Sequence, residues 1–168
     1  MKKLVLVLVL VLSLSTSFAQ MFAHVDSQKV LDTMPSRMMA MKEISDFETR
    51  AMKEMQDEQA KFNKEYTEFE TSSSTMSPTA RRFEEERLSK KYQELQTRGQ
   101  ELDQQMNILA NDLNAPILDR VKTAIENVAK AEKLDYVLDQ SGLLYAKGKD
   151  ITDKVIAEVL KLEAAAAN

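Results

Sequence analysis

The chain has 168 residues, with 27 Asp or Glu against 23 Lys or Arg, for a formal charge of −4. Three Gly, three Pro, no Trp and 6% aromatic residues beside 30% charged ones suit long polar helices and argue against a β-sandwich or a glycine-rich nucleotide-binding fold. The lack of Cys excludes disulfides, thiolate zinc sites and cysteine nucleophiles, and the single His24 makes a histidine metal cluster or a Ser-His-Asp relay implausible.

Lys2 and Lys3 precede an unbroken Leu/Val run from Leu4 to Leu12, and Ser17-Phe18-Ala19 supplies small residues for signal peptidase. This pattern predicts a signal peptide over residues 1–19, cleaved after Ala19, and export as a soluble protein. The apolar run is too short for a bilayer core of ~30 Å, and without Cys there is no lipoprotein route. Removing Lys2 and Lys3 leaves 21 basic against 27 acidic residues, a balance that argues against nucleic acid as the partner.

Phe22 to Asp26 alternates weakly and reads as a strand, followed by a helical turn from Ser27 to Asp32 that ends near Pro35. From Ser36 to Glu70 there is neither Gly nor Pro. Over that span Ile44, Phe47, Ala51, Met55, Phe62, Tyr66 and Phe69 fall on one stripe of a helix, about 35 residues and about 50 Å long. Thr71-Ser72-Ser73-Ser74-Thr75 reads as a turn, and Ser77-Pro78 as an N-cap with proline at the first helical position.

The next segment carries an unbroken heptad seam of Leu88, Tyr92, Leu95, Gly99, Leu102, Met106, Leu109 and Leu113. Two such helices joined by a short turn form an antiparallel coiled-coil hairpin. Asp57/Lys61 and Glu86/Lys90 are acid-before-base pairs at i,i+4, suited to solvated faces. Gly99, at a seam position, is either a soft point or a place of close approach opposite a large residue.

Asn114-Ala115-Pro116 predicts a kink or restart. Beyond it, Ile117, Val121, Ala124, Ile125 and Val128 make a new apolar face. Leu134 to Asp139, a turn at Gln140-Ser141-Gly142, and Leu143 to Ala146 read as a two-stranded hairpin with which the first strand could pair. Asp150 or Thr152 caps a last helix with Val155, Ile156, Val159 and Leu162 inward, and residues 164–168 form a fraying tail. His24 is expected to be exposed or half-buried.

The fold class is therefore mostly α with a small sheet: a helical-hairpin arm over residues 36–113 projecting from a compact α/β oligomerisation body of residues 20–35 and 114–163. That body is small for an independent core, so association through the sheet is expected, with Val25, Val137, Leu143 and Leu144 as the oligomerisation candidates.

No acid stands in an apolar setting that would raise its pKa, and no glycine-rich phosphate loop is present. Neither catalytic residues, cofactor nor metal is expected, and the chain reads as no enzyme. Methionine is the unusual feature, with ten in all. Met38, Met41 and Met52 fall beside the main stripe of the first helix. They read either as filling for irregular core space or as an adaptable binding surface, which thioethers suit.

The sequence resembles the Skp/OmpH family of periplasmic chaperones. The resemblance rests on the strand Ala23-His24-Val25-Asp26 with the turn Gln28-Lys29-Val30-Leu31 after a signal peptide, and on the run from Pro116 to Ile156 with its LDYVLD and DITD segments. It implies a trimer whose hairpins enclose a cavity, ATP-independent action, and unfolded outer-membrane β-barrel proteins as partners. The resemblance also implies a cationic arm, from which this chain departs: residues 50–98 hold ten basic and ten acidic residues, so membrane contact is not indicated by charge.

The leading reading is thus a periplasmic holdase with Met38, Met41, Met52, Phe62 and Phe69 as client-binding candidates. The alternative is a structural coiled-coil spacer or adaptor of the cell envelope that binds no unfolded chain.

Overall fold

Strand β1 (Phe22–Val25) is the middle strand of a three-stranded sheet, flanked by β2 (Tyr136–Asp139) and β3 (Lys149–Asp150), and both pairings are parallel. The computed structural model describes residues 21–166, so the expected signal peptide lies outside the described residues. The chain divides into two compact units, Met1–Thr33 with Val121–Asn168, and Met34–Arg120.

In the first unit, Ala23 stands opposite Val137 and Lys149, and His24 opposite Leu138 and Asp150. The hairpin expected from residues 134–146 does not form. The Asp139 carboxylate accepts the Ser141 N–H at 2.8 Å and turns the chain into a 3₁₀ turn over Gln140–Gly142. Leu143 to Ala146 therefore leaves the sheet and is not a strand. The neighbour of β2 is β1, brought from the other end of the chain, and parallel partners need such a long connection.

Helix α1 (Ser27–Asp32) starts at Asp26, whose side chain accepts the Lys29 N–H at 2.9 Å. The Asp26 N–H itself donates to Thr152 Oγ1 at 3.0 Å. Asp150 in turn accepts the Thr152 N–H at 2.8 Å and its hydroxyl at 2.6 Å, capping helix α4 (Thr152–Ala166). One network thus fixes the starts of both helices against the sheet.

Ala23, Val25, Val30, Val121, Ala124, Val128, Ile151, Val155 and Val159 are the buried apolar residues of this unit. His24 is buried too, against expectation, because the middle strand of a sheet is covered on both edges; its Nε2 lies 3.9 Å from Asp150 Oδ2. Helix α4 is helical through Ala166.

Helix α2 (Pro35–Ser72) and helix α3 (Pro78–Glu132), the latter belonging to the second unit as far as Arg120, are joined by a 3₁₀ turn over Ser73–Thr75. The first helix outlasts the expected Glu70 because the Ser72 hydroxyl folds back onto the Glu68 carbonyl at 2.7 Å instead of breaking the ladder. At the restart, Ser77 Oγ accepts the Ala80 N–H at 3.2 Å and Pro78 takes the first helical position. The Arg81 guanidinium donates back across the turn to the Ser73 carbonyl at 2.6 and 3.2 Å.

The helices pair antiparallel: Phe62 meets Tyr92, and one heptad further from the turn Met55 meets Gly99. Leu88, Leu95 and Leu102 of the seam are buried. Pro116 does not interrupt α3. Proline in a helix interior costs about 3 kcal/mol, but the long helical runs on both sides propagate cheaply once formed and are held by buried Leu102, Ile117 and Val121.

Two surface pairs also differ from expectation. Lys61 bonds Glu58 at 2.7 Å rather than Asp57, and Lys90 reaches forward to Glu94 at 3.8 Å rather than back to Glu86.

Candidate functional site

The hairpin exposes apolar side chains that its seam does not consume. Met38, Met41 and Met52 on α2 are 61%, 58% and 57% exposed. They sit beside the seam stripe in the 3.6-residue period, an offset that leaves them open to solvent. The sequence left open whether they fill core space; in this hairpin they do not.

Phe62 and Phe69 are half-buried in a groove of about 580 Å³ lined also by Tyr66, Leu88 and Tyr92. Phe62 holds it together, with ring centroids 6.1 Å from Tyr66 and 5.8 Å from Tyr92. A second groove of about 340 Å³ lies around Phe47, Met52, Met55, Gly99 and Met106, where glycine removes a side chain from the seam.

Sequence reasoning missed exposed Met39 and Phe83. Both are large apolar residues off the stripe of their own helix, and that displacement was the available signal.

The interhelix charges are fixed on one side of the seam. Glu65 accepts from Lys91 and, at 2.8 Å, from Arg87, and these two cations hold its carboxyl below the usual range. Arg98 does the same for Glu54 at 2.6 Å. Exposed pairs of this kind contribute little stability.

In the sheet unit, Val25 is 2% exposed and therefore spent in the chain's own core. Val137 and Leu143 are half-buried, and Leu144 is fully exposed beside exposed Tyr145. Glu132, at the end of α3, accepts from Lys149 and Lys154, which pull its carboxyl down to about 2. Among the described residues no cluster of three His, Asp or Glu side chains could hold a metal ion, and no helix is long and apolar enough to cross a membrane.

The family model described as "Outer membrane protein (OmpH-like)" matches residues 21–159. The chaperone protein Skp of Photorhabdus laumondii is 27% identical over 143 residues, 84% of this chain and 86% of that protein. Outer membrane protein 26 of Haemophilus influenzae is 43% identical over a shorter stretch of 44 residues, 26% of this chain and 22% of that one. In fold, the chain is similar to the crystal structure of a putative outer membrane chaperone (OmpH-like) from Caulobacter crescentus, with a TM-score of 0.73, 18% identity and 83% of each chain covered.

Proposed function

The chain belongs to the OmpH-like outer membrane protein family, and from that premise we propose that it is an ATP-independent periplasmic holdase for unfolded outer-membrane β-barrel proteins. The observation that carries this reading is the exposure of Met38, Met41 and Met52 together with the aromatic groove at Phe62 and Phe69. A spacer would confine its apolar groups to the seam. Flexible thioethers and a shallow groove instead offer contacts without fixed geometry, which many clients can share. At roughly 25 cal/mol per Å², a few hundred Å² of apolar area removed from water is enough for useful binding.

Assembly is part of the same proposal: the sheet unit forms a trimer. Support comes from the outer edges of β2 and β3, which no strand covers among the described residues, and from exposed Leu144 and Tyr145 beside half-buried Val137 and Leu143. Open edges of this kind invite pairing with another chain.

The test is aggregation of a urea-denatured outer-membrane barrel protein on dilution into buffer. Substoichiometric or equimolar protein should keep it soluble without nucleotide. Unchanged light scattering on dilution would leave the spacer as the remaining reading.

A further inference from the structure

All oxidisable sulfur in this chain is thioether, since ten Met stand beside no Cys. Burial divides the described methionines into classes. Met34, the residue before α2, is fully buried, and Met55, Met76 and Met106 are half-buried. Met38, Met39, Met41 and Met52 are between 57% and 66% exposed. Met21, at the start of the sheet unit, is the remaining exposed one. A small oxidant in solution reaches the sulfur of the exposed class first and that of Met34 last.

Position separates the four exposed methionines of α2 where exposure does not. At 100° per residue, Met38, Met41 and Met52 fall within about 60° of one another on the flank of the seam stripe. Met39 lies about 100° from Met38 in the direction away from the seam. Met52 also lines the groove around Phe47, Met55 and Gly99, which ties this flank to the seam. The three methionines are thus one thioether strip, and Met39 stands apart from it.

We infer that Met38, Met41 and Met52 form a reversible oxidation site, at which a peroxide converts the thioethers to sulfoxides and lowers client affinity with the fold intact. The inference rests on the holdase reading and adds how holding is regulated. In the step, a sulfur lone pair attacks one oxygen of hydrogen peroxide. An S–O bond forms as the O–O bond breaks, the proton on the transferred oxygen passes to the departing hydroxide, and water leaves. Sulfur gives up two electrons and the peroxide takes them.

The sulfoxide turns a flexible apolar side chain into a polar one, and covering its oxygen with an apolar client without a hydrogen-bond partner is unfavourable. The three side chains stand in solvent, so the added oxygen meets no packed neighbour. On Met34 the same oxygen would be forced into filled space, which destabilises a fold. Exposure therefore lets the strip change its chemistry before the core is touched, and this order separates a switch from general damage. Methionine sulfoxide reductases reverse the change, one enzyme for each sulfur epimer. The thiol reductant that serves them finds no disulfide in this chain to break.

The experiment treats the purified protein with graded hydrogen peroxide, removes the peroxide with catalase, and follows each methionine by peptide mass mapping. Binding of a fluorescently labelled, urea-denatured outer-membrane barrel protein is measured beside circular dichroism. Sulfoxide at Met38, Met41 and Met52, with Met34 still a thioether, should weaken binding about tenfold at unchanged helix content. Treatment with both reductases should restore it. This dose series and its reversal need no variant. Two substituted proteins, each compared only with itself before and after peroxide, then locate the effect. Met38→Leu with Met41→Leu and Met52→Leu, which keeps Met21 and Met39, should lose less than twofold. Met39→Leu should lose about tenfold, like the unmutated protein.

Unchanged or tighter binding once the three are oxidised, an equal loss in the triple variant, or protection by Met39→Leu would overturn the inference while leaving holdase activity of the untreated protein intact. Loss that appears only with oxidation of Met34 or with falling helix content would overturn it as well, as damage to the fold. Absence of client binding by the untreated protein would defeat the holdase reading itself.

Discussion

Gly99 faces Met55 across the hairpin, and a β-carbon built at Gly99 would stand 3.7 Å from Met55 Cε, an ordinary contact distance. The glycine therefore leaves room that alanine would fill without displacing its neighbour. Gly99→Ala should stabilise the protein by about 0.5–1 kcal/mol, the difference in helix propensity between the two residues. Chemical denaturation checks it, and a loss of stability would show that close backbone approach, rather than a vacancy, fixes the glycine.

Glu132 titrates near 2 because Lys149 and Lys154 bond its ionised form. Its folded pKa lies below the ordinary 4.5, so the contribution is complete above that value and is lost as pH falls through the range down to about 2. Thermal melts between pH 5 and about 2 should show a decline that Glu132→Gln makes shallower. Identical slopes for the two proteins would assign the acid sensitivity elsewhere. Asp150, lowered by its bonds to Thr152, contributes in the same direction.

Leu144 is fully exposed on the segment after the 3₁₀ turn. If the sheet unit assembles as proposed, Leu144→Asp should convert a trimer to monomer in light scattering while helical circular dichroism is largely kept. Val137→Asp, on edge strand β2, should do the same. A monomeric mass for the unmutated protein would remove the assembly proposal.

Capture of client by the methionines should be indifferent to moderate salt, because ten basic and ten acidic residues over positions 50–98 leave no long-range field and local pairs are screened beyond about 8 Å at 0.15 M. Replacing Met38, Met41 and Met52 together with Gln should weaken holding about tenfold, roughly 1.4 kcal/mol, with the assembly intact. Steep salt dependence and indifference to the triple substitution would show that charge does the capturing.

Periodicity made the hairpin legible. The seam from Leu88 to Leu113 and the stripe from Ile44 to Phe69 are repeats that a long helix must place on one side, and they meet at Phe62 with Tyr92 and at Met55 with Gly99. The sheet was less legible because its pairing is set by residues far apart. Nothing local in Leu143-Leu144-Tyr145-Ala146 reveals that Asp139 has already turned the chain out of the sheet, or that β1 occupies the place beside β2. The same reason hid the burial of His24, which depends on strands arriving on both of its edges. Pro116 misled in the other direction: its local penalty is real, but the helix on either side decides the outcome. At the candidate surface, the positions of Met38, Met41 and Met52 followed from their offset.

The central strand of the sheet comes from the first described residues, while both of its neighbours come from residues 136–150. In the chain, β1 lies more than a hundred residues before either partner. As the chain emerges from its N-terminal end, the sheet therefore cannot close until nearly all of it is out, whereas α2 and α3 can zip together as soon as the turn at Ser73–Thr75 and the first heptads of α3 are out. The order of birth thus runs opposite to the order of the strand: the first segment made is among the last to be secured. A chain truncated before Tyr136 would leave β1 with both edges open, a template for aggregation rather than a partial body.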